Sequence, residues 1–268
     1  MAISTLDGLV AALPGQQNNG FKTGGTISAA GQFYFAGVVG GQPAALATPA
    51  ALSANGTLYD NTSVGAWPFT NPAAQGNLAR VMASAPAITT VLLYDLLWAA
   101  TWTATTTGAQ AVTFPTVPSR DVNGAANGDG VELWYLPWAT IGAAAGTITV
   151  TYTNKAGVAG RVTSALTPVT AGVTGRAQQF TLQAGDIGVR SVQSVNSSAT
   201  MTSGTPAIAM IRRLATIPLF TANKGEVLDW AQLGFPRVYA GTCLQAMALC
   251  TATTALSPLM LETNVTDG

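Results

Sequence analysis

Two pairs of carboxylates in this chain of 268 residues have spacings that could support acid–base chemistry. Glu226 and Asp229 lie three residues apart in a segment predicted to be helical, and Asp129 and Glu132 flank the start of a predicted strand. Glycoside hydrolysis needs two carboxyl groups about 5–10 Å apart on opposite sides of the sugar bond. Side chains at i and i+3 of a helix point the same way, so the first pair does not straddle a substrate. We expect Glu226 to begin a helix and Asp229 to be solvated or paired with a nearby basic residue.

The chain contains no histidine, which excludes Ser-His-Asp triads, Cys-His pairs and His-containing metal sites. Cys243 and Cys250 are its only cysteines, and their spacing of seven puts them on one face of a putative helix. This spacing favours two buried apolar side chains, and a disulfide stays an open alternative. These features predict a protein that is not an enzyme and that carries no cofactor.

The segment 119–130 offers oxygen atoms from Asp121, Asn123, Asn127 and Asp129. Calcium takes about six to eight such oxygens, but this spacing lacks the alternation and the closing glutamate of an EF-hand loop. The Asn-Gly and Asp-Gly pairs in the segment are typical of tight turns, which need positive φ angles. We therefore favour a turn over a metal site and assign no metal ligand.

Aromatic residues are the strongest candidates for contact with a ligand or a partner. Trp98, Trp102, Trp134, Tyr135 and Trp138 cluster around two predicted strands. A stacked aromatic platform could bind sugar rings, but aromatic side chains more often bury large areas in cores and interfaces. We select as interface candidates Phe21, Phe33, Phe35, Trp67, Phe69, Trp134 and Trp138.

Trp134 carries the most specific of these predictions. Strand alternation in 131–138 puts Trp134 on the face of the charged Glu132, whereas Val131, Leu133 and Tyr135 share the opposite face. A face that carries a charge should be solvated in a lone domain. A tryptophan on that face therefore predicts contact with another subunit.

The hydrophobic pattern between residues 110 and 220 is that of β-strands. Strands are predicted at 131–138, 147–153, 161–165, 178–182, 188–195 and 207–219. Strands at this spacing with no helices between them are typical of an antiparallel β-sandwich or jelly-roll. The predicted fold class is therefore mainly β, with a sandwich or jelly-roll-like body, an extended N-terminal arm and a few short helices.

Three segments follow from this pattern. Residues 1–75 are predicted to form an extended arm, because a loop-rich stretch of this length is unusual inside a compact domain. The arm is predicted to begin with a short helix, which starts at a capping-box-like sequence at 4–7. Residues 76–220 form the β-sandwich body, which starts with a helix-like spacing of Leu78, Val81, Met82 and Ala85. Residues 221–268 form a mixed segment that packs on the body, with a helix at 226–230.

Charged residues make up only 8% of the chain, with 11 basic and 11 acidic residues and a formal net charge of zero. An ordinary globular protein carries about 25% charged residues. Alanine, glycine, threonine, serine and valine fill the sequence instead, which predicts a surface suited to packing against neighbours. A neutral chain with scattered basic residues lacks the attraction that nucleic acids require, so no direct contact with nucleic acid is expected.

The sequence predicts no contact with a membrane. Its most apolar stretch, 91–102, is too short to span a bilayer and contains Asp95. The N-terminus lacks the basic region and long apolar core of a signal peptide, so we expect the protein to be made and folded in a cytoplasm.

The segment 146–161 runs from a strand into the pattern Tyr-Thr-Asn-x-x-Gly-x-x-Gly-Arg. This segment resembles parts of the structural proteins of tailed bacteriophages, as do the hydroxyl-rich strands, the Ala/Gly/Thr spacers and the scarcity of lysine. The resemblance covers about residues 90–220. It implies a virion component with a β-sandwich body, and it brings no catalytic residues with it.

The resemblance leads us to expect a non-enzymatic virion structural protein, foremost a capsid decoration (cement) protein that stabilises the phage head. Its expected partners are further copies of itself, as a homotrimer, and the major capsid protein of the same virion. Its expected location is the virion capsid, assembled in the host cytoplasm. A tail or baseplate component and the major shell subunit are alternatives. A carbohydrate-binding or depolymerising tail-spike-like protein is an alternative of a different class.

Overall fold

The computed structural model describes residues 5–12, 17–23, 30–143, 146–169, 173–251, 253 and 257–267, and this part of the chain is mainly β. The first strands are β1 (Gln17–Lys22), β2 (Phe33–Phe35), β3 (Gly41–Gln42), β4 (Thr57–Leu58), β5 (Gln75–Ser84), β6 (Thr89–Thr101), β7 (Gly108–Ala111), β8 (Val131–Tyr135) and β9 (Ile148–Asn154). They are followed by β10 (Arg161–Val162), β11 (Arg176–Gln179), β12 (Val189–Ser197), β13 (Ala207–Leu219), β14 (Glu226–Asp229), β15 (Arg237–Tyr239), β16 (Leu244–Cys250) and β17 (Leu259–Asp267). The helices are α1 (Leu6–Ala12) and α2 (Trp230–Leu233).

The chain divides into two compact units. Unit 1 comprises Met1–Leu46, Asp60–Asp95 and Leu214–Gly268, and unit 2 comprises Ala47–Tyr59 and Leu96–Arg213. The division falls inside two long strands, β6 and β13. These bounds differ from the segment boundaries at residues 75 and 220 that we predicted from the pattern of loop-rich and strand-like sequence.

Unit 1 is an antiparallel sandwich. One sheet has the order β14-β5-β17-β1-β3, with β15 also paired to β5. In the other layer, β16 pairs with β2 on one side and with the first half of β6 on the other. The core between these layers takes inward-facing residues from both, among them Leu78, Val81, Leu93, Ala246 and Val265.

Unit 2 is also an antiparallel sandwich. Its four-stranded sheet has the order β10-β9-β12-β7. In its second layer, β8 lies between β13 and β11. The core includes Val150, Tyr152 and Val192 from the first layer, and Leu133 and Met210 from the second. The predicted mainly β, sandwich-type fold class is confirmed, and the strand predicted at 207–219 has the bounds of β13.

The helix-like segment at residues 78–85 is a strand, and this prediction was wrong. Residues of β5 pair in register with β17, but the register skips Ala79, so that Asn264 faces Arg80 and Val265 faces Leu78. The extra residue of this β-bulge changes which residues of β5 face inward. Leu78 and Val81 therefore both lie in the core, although they are three residues apart. The bulge therefore imitates the periodicity of a helix.

The helix predicted at 226–230 is likewise wrong in its position. Glu226 to Asp229 form strand β14, paired with β5, and the helix α2 begins one residue later. Asp229 is the N-cap of α2, because its carboxylate accepts the backbone N–H groups of Ala231 and Gln232 at 3.0 and 3.1 Å. Asp229 is exposed, so the solvated state that we expected is confirmed, and its carboxylate has the further role of capping α2.

Cys243 and Cys250 were assigned to a helix, and this assignment was wrong, since Cys250 ends strand β16 and Cys243 directly precedes it. Both side chains are buried free thiols, as the apolar interpretation predicted.

The N-terminal region is loop-rich, as predicted, and its described parts lie over the protein's own chain. Strand β1 pairs with β17 and with β3, and β2 pairs with β16. In the short helix α1, the Thr5 hydroxyl accepts the backbone N–H of Gly8 at 3.1 Å. Ser4, the predicted capping residue, lies outside the described residues. Among the described residues, no helix is long and apolar enough to cross a membrane.

Candidate functional site

The segment 119–130 is a set of tight turns organised by one carboxylate. Asp121 is 2% exposed, and its Oδ1 accepts the backbone N–H groups of Asn123 at 2.9 Å and of Ala125 at 2.8 Å. Its Oδ2 accepts those of Asn127 at 3.2 Å and of Asp129 at 3.3 Å. The predicted turns are present, since Gly124, Gly128 and Gly130 have positive φ angles and the carboxylate of Asp121 accepts four backbone donors across the segment. Within the described ranges, no group of three or more Cys, Asp or Glu side chains is placed to hold a metal ion.

A buried arginine anchors the start of this segment. Arg120 is 3% exposed, and its Nη2 donates to the carbonyl oxygens of Tyr59 at 2.6 Å and of Leu96 at 3.4 Å. The guanidinium thus ties the loop to two other stretches of the chain. These contacts restrict the motion of the loop.

Asp129 connects the end of the segment to the β9–β10 hairpin. Its Oδ1 accepts a hydrogen bond from Lys155 Nζ at 2.9 Å, and its Oδ2 accepts one from Asn123 Nδ2 at 2.8 Å. The backbone of Asp129 also forms an antiparallel bridge with Gly188. Two loops that are distant in sequence are therefore held at the same end of unit 2.

Asp186 is the centre of a second network at this end. Its carboxylate accepts hydrogen bonds from Arg161 Nε at 2.9 Å, Tyr152 Oη at 2.6 Å and Asn154 Nδ2 at 2.7 Å. The hydroxyl of Tyr152 in turn accepts the backbone N–H of Gln183 at 2.9 Å. The hydrogen bond from Arg161, helped by those from Tyr152 and Asn154, lowers the pKa of Asp186 to about 2. Burial and the bond to Asp186 raise the pKa of Tyr152 to about 12.

The same network gives a structural role to the pattern Tyr-Thr-Asn-x-x-Gly-x-x-Gly-Arg at residues 152–161. Its tyrosine, asparagine and arginine are the three residues that converge on Asp186. Its two glycines, Gly157 and Gly160, have φ angles of 82° and 74°, a conformation that favours glycine. The pattern therefore encodes a hairpin that is pinned to a distant aspartate. Sequence reasoning missed Asp186 itself, and the tyrosine, asparagine and arginine of the pattern were its only indirect signal.

We call the surface formed by residues 121–130, 154–161 and 183–188 the loop end of unit 2. Each of its three loops exposes one large aliphatic side chain: Val122 is 49%, Val158 51% and Ile187 63% exposed. The charged groups beneath them are engaged in the contacts just described. The loop end is thus a rigid surface with apolar side chains pointing outward, which is suited to contact with another macromolecule.

Two grooves flank the loop end. The first has a volume of about 500 Å³ and is lined in part by Phe114, Ala159 and Arg190. The second has a volume of about 580 Å³ and is lined in part by Glu132 and Gln183. Both grooves are open to solvent. Their linings mix hydroxyl, amide and aliphatic groups with aromatic side chains and with the charged groups of Arg190, Glu132 and Asp186. They extend the contact surface on either side of the three loops.

The carboxylates of the two predicted pairs have different surroundings. Asp129 is bound by Lys155, whereas Glu132 accepts Arg213 Nη2 at 3.0 Å and Trp134 Nε1 at 2.8 Å. Glu226 and Asp229 stand three apart in a strand, so their side chains point to opposite faces.

Four of the seven interface candidates are buried inside their own chain: Phe35, Trp67, Trp134 and Trp138. For Trp134 the predicted face was right, because its indole donates to Glu132, but the prediction that this face is open to a partner was wrong. The remaining candidates differ, since Phe33 and Phe69 are half-buried and Phe21 is exposed.

No family model and no curated protein matches this chain. Among solved structures, the chain is similar to that of the infectious bursal disease virus VP2 subviral particle, at 9% sequence identity and with a TM-score of 0.17. The match covers 96% of this chain and 78% of that chain. A TM-score this low does not indicate a shared fold.

Proposed function

We propose that this protein is a non-enzymatic structural component of a tailed-bacteriophage virion, and that it decorates the capsid as a homo-oligomer bound to the major capsid protein. In this role it is assembled in the host cytoplasm and resides on the virion. The composition supports the proposal, because a neutral surface with few charges limits repulsion between many closely packed copies.

The observation that carries the proposal is the loop end of unit 2. Val122, Val158 and Ile187 are exposed there on loops whose own polar groups are fixed by Asp121, Asp129 and Asp186. A surface that is already ordered loses little conformational entropy on binding. Such a surface can contact a symmetric shell at many equivalent positions, where multivalency raises the total affinity.

Carbohydrate binding through a tryptophan platform is less well supported. Five of the six tryptophans are buried, and only Trp230 is partly accessible. Buried indoles cannot stack on the faces of sugar rings. Glycan binding is therefore treated as an outcome of the test below. The alternatives within virion proteins remain a tail or baseplate component and the major shell subunit.

Cryo-electron microscopy of the particles encoded by the same genome tests the proposal. We expect density for this chain on the outside of the head, at positions that follow the symmetry of the shell. Density in the tail, or in the shell itself, would support the corresponding rival. Absence of the chain from the particles, or binding to a glycan with tryptophan quenching, would overturn the proposal.

A binding assay with shells that lack the protein tests the surface. Ile187→Asp should weaken binding to the shells, because it places a charge at the most exposed aliphatic position of the loop end. Val64→Asp is the matched control, since Val64 is similarly exposed but lies in unit 1. Equal binding by the two variants would exclude the loop end as the contact surface.

A further inference from the structure

Four Asn-Gly pairs occur in the chain, and they begin at Asn19, Asn55, Asn123 and Asn127. Glycine has no side chain to shield its backbone nitrogen, so this nitrogen can attack the Cγ atom of the preceding asparagine. A C–N bond forms, the N–H proton passes to a solvent base, and the side-chain nitrogen takes up a proton and leaves as ammonia. Water then opens the resulting succinimide ring and leaves aspartate or isoaspartate. The fold decides at which pair this spontaneous deamidation proceeds.

Solvent exposure does not separate the four pairs, because all four asparagines are exposed. Ring closure requires that the carboxamide turn towards the next backbone N–H group and that this N–H group lose its proton. A hydrogen bond from the N–H group to a carbonyl oxygen opposes both steps, and so does a hydrogen bond that holds the carboxamide. The hydrogen-bond partners of each pair therefore decide its relative rate.

The first pair is held in a strand. In the pairing of β1 with β17, Asn19 lies opposite Glu262 and Gly20 lies opposite Leu261. The succinimide ring needs a ψ angle at asparagine that is far from the extended value of a strand. Ring closure at Asn19 therefore requires β1 to separate from β17.

The second pair is held by hydrogen bonds of its backbone. The N–H group of Gly56 donates to the carbonyl oxygen of Ala51 at 3.0 Å, and the carbonyl oxygen of Asn55 accepts the indole N–H of Trp98 at 2.9 Å. The attacking nitrogen is thus engaged, and the peptide that must rotate is fixed. Deamidation at Asn55 has to break at least one of these bonds.

The third pair is held at both reacting groups. The N–H group of Gly124 donates to the carbonyl oxygen of Asp121 at 3.0 Å, and Asn123 Nδ2 donates to Asp129 Oδ2 at 2.8 Å. The attacking nitrogen and the carboxamide are therefore both engaged. Both bonds must break before the ring can close at Asn123.

The fourth pair differs from the other three. The backbone N–H of Asn127 donates to Asp121 Oδ2 at 3.2 Å. Within the part of the chain that the structure describes, however, neither the carboxamide of Asn127 nor the N–H group of Gly128 has a hydrogen-bond partner. We infer that Asn127 is the site at which the folded protein deamidates, so that isoaspartate forms within the loop end of unit 2. This inference goes beyond the proposed function and does not depend on it.

Isoaspartate at this position would disturb the loop end. It adds a methylene group to the backbone, and the backbone of Gly128 is packed so closely that even a Cβ atom there would overlap the carbonyl oxygen of Val189. It also adds a carboxylate beside the carboxylate of Asp121, which accepts the N–H of Asn127. We therefore expect segment 121–130 to loosen as the protein ages.

Ageing of the full chain at mildly alkaline pH, followed by peptide mass spectrometry, tests the inference. Electron-transfer fragmentation locates each deamidated residue and distinguishes isoaspartate from aspartate. In the folded protein Asn127 should react at least about fivefold faster than Asn123, since no hydrogen bond has to break first. In urea the four pairs should react at similar rates, because the fold no longer protects any of them. A rate at Asn127 no higher than that at Asn123, or the same preference for Asn127 in urea, would overturn the inference.

Asn127→Gln is the matched variant, because its longer carboxamide would have to close a six-membered ring, which forms far more slowly. Hydrogen–deuterium exchange of segment 121–130 should rise on ageing in the wild type and stay unchanged in Asn127→Gln. Freshly prepared Asn127→Asp carries the charge without the extra backbone atom, so it separates the two causes of loosening. Unchanged exchange in the aged wild type would contradict the expected disturbance of the loop end.

Binding to shells is a separate test, because it depends on the proposed function. If the loop end contacts the shell, aged wild-type protein should bind more weakly than aged Asn127→Gln. Equal binding by two samples that differ in isoaspartate content would contradict the loop end as the contact surface and leave the deamidation site standing. A wild type that does not deamidate at Asn127 would do the reverse.

Discussion

The guanidinium of Arg161 donates to the carboxylate of Asp186 at 2.9 Å, across 25 residues of sequence. This contact closes the network that joins the β9–β10 hairpin to the loop at 183–188. The Asp186 side chain is only 5% exposed. The pair therefore holds two of the three loops that form the candidate contact surface.

Asp186→Asn should lower the free energy of unfolding at neutral pH and change how that free energy varies with pH in the acid range. The hydrogen bond from Arg161, with those from Tyr152 and Asn154, lowers the pKa of Asp186 from its ordinary 3.8 to about 2. The stabilisation that comes from ionised Asp186 is therefore complete above pH 3.8 and is lost as the pH falls towards 2. Urea unfolding at pH 7 and at pH 2–4 measures both effects. The exposed Asp7→Asn serves as control, and an unchanged acid slope in Asp186→Asn would contradict the prediction.

Trp134→Ala should destabilise the folded chain by about 3–5 kcal/mol, because the indole is fully buried and its removal leaves a cavity. Trp134→Phe keeps most of the packing and loses the hydrogen bond to Glu132, so it should cost less, about 1–3 kcal/mol. Chemical denaturation monitored by far-UV circular dichroism gives both values. A loss below about 1 kcal/mol for the alanine variant would place Trp134 outside the core.

Gly128→Ala should be far more damaging than Gly185→Ala, although both glycines have positive φ angles in the loop end. A Cβ at Gly128 would overlap the backbone carbonyl of Val189, whereas a Cβ at Gly185 meets open space. The second substitution carries only the backbone cost of about 1–2 kcal/mol. We expect the first to cost at least about 2 kcal/mol more, because backbone must move. Similar melting temperatures for the two variants would show that the loop rearranges freely.

Lys22 should make stability rise with pH in the alkaline range. Its ammonium is buried, donates to the carbonyl oxygens of Pro43 at 3.0 Å and Ala44 at 2.7 Å, and lies over the ring of Trp67. Burial lowers the pKa of Lys22 from 10.5 to about 8. The unfolded chain therefore binds more protons between pH 8 and 10.5, and stability attributable to Lys22 increases across that window.

Lys22→Met should remove this alkaline increase, and the exposed Lys224→Met should retain it. The free energy of unfolding in urea at pH 7.5, 9 and 10.5 provides the measurement. Parallel pH profiles for the wild type and Lys22→Met would show that Lys22 titrates normally.

The regular strands β9 and β13 could be predicted from the sequence, and the irregular strands β5 and β14 could not. The strand predicted at 207–219 has the bounds of β13, and the strand predicted at 147–153 is displaced by one residue from β9, because both segments follow the hydrophobic pattern of strands. In β5 the bulge at Ala79 breaks the alternation of buried and exposed residues. The resulting spacing of three between buried residues is that of a helix, so the periodicity predicts a helix. In β14 the short segment with a charged residue at each end has the pattern of the first turn of a helix. It is a strand because it pairs with β5, and the local sequence does not show that pairing.

The candidate contact surface was predictable only in fragments. The turns of segment 119–130 follow from their Asn-Gly and Asp-Gly pairs, because the preference of glycine for positive φ is local. The role of Asp186 depends on partners 25–34 residues away, and no local pattern specifies them. The same limit explains the error at Trp134, where alternation identified the correct face but not whether that face is covered.

The sequence by itself determined the fold class and the general character of this protein. The chain is mainly β, low in charge and without histidine, and its glycine and asparagine residues mark its turns. These properties are local or compositional, so they survive without knowledge of any contact. The tertiary structure decided which aromatic side chains are buried, which carboxylates are neutralised by internal partners, and which aliphatic side chains remain on the surface. Those outcomes depend on strand register and on contacts between distant segments, and a shift of one residue in register exchanges the two faces of a strand.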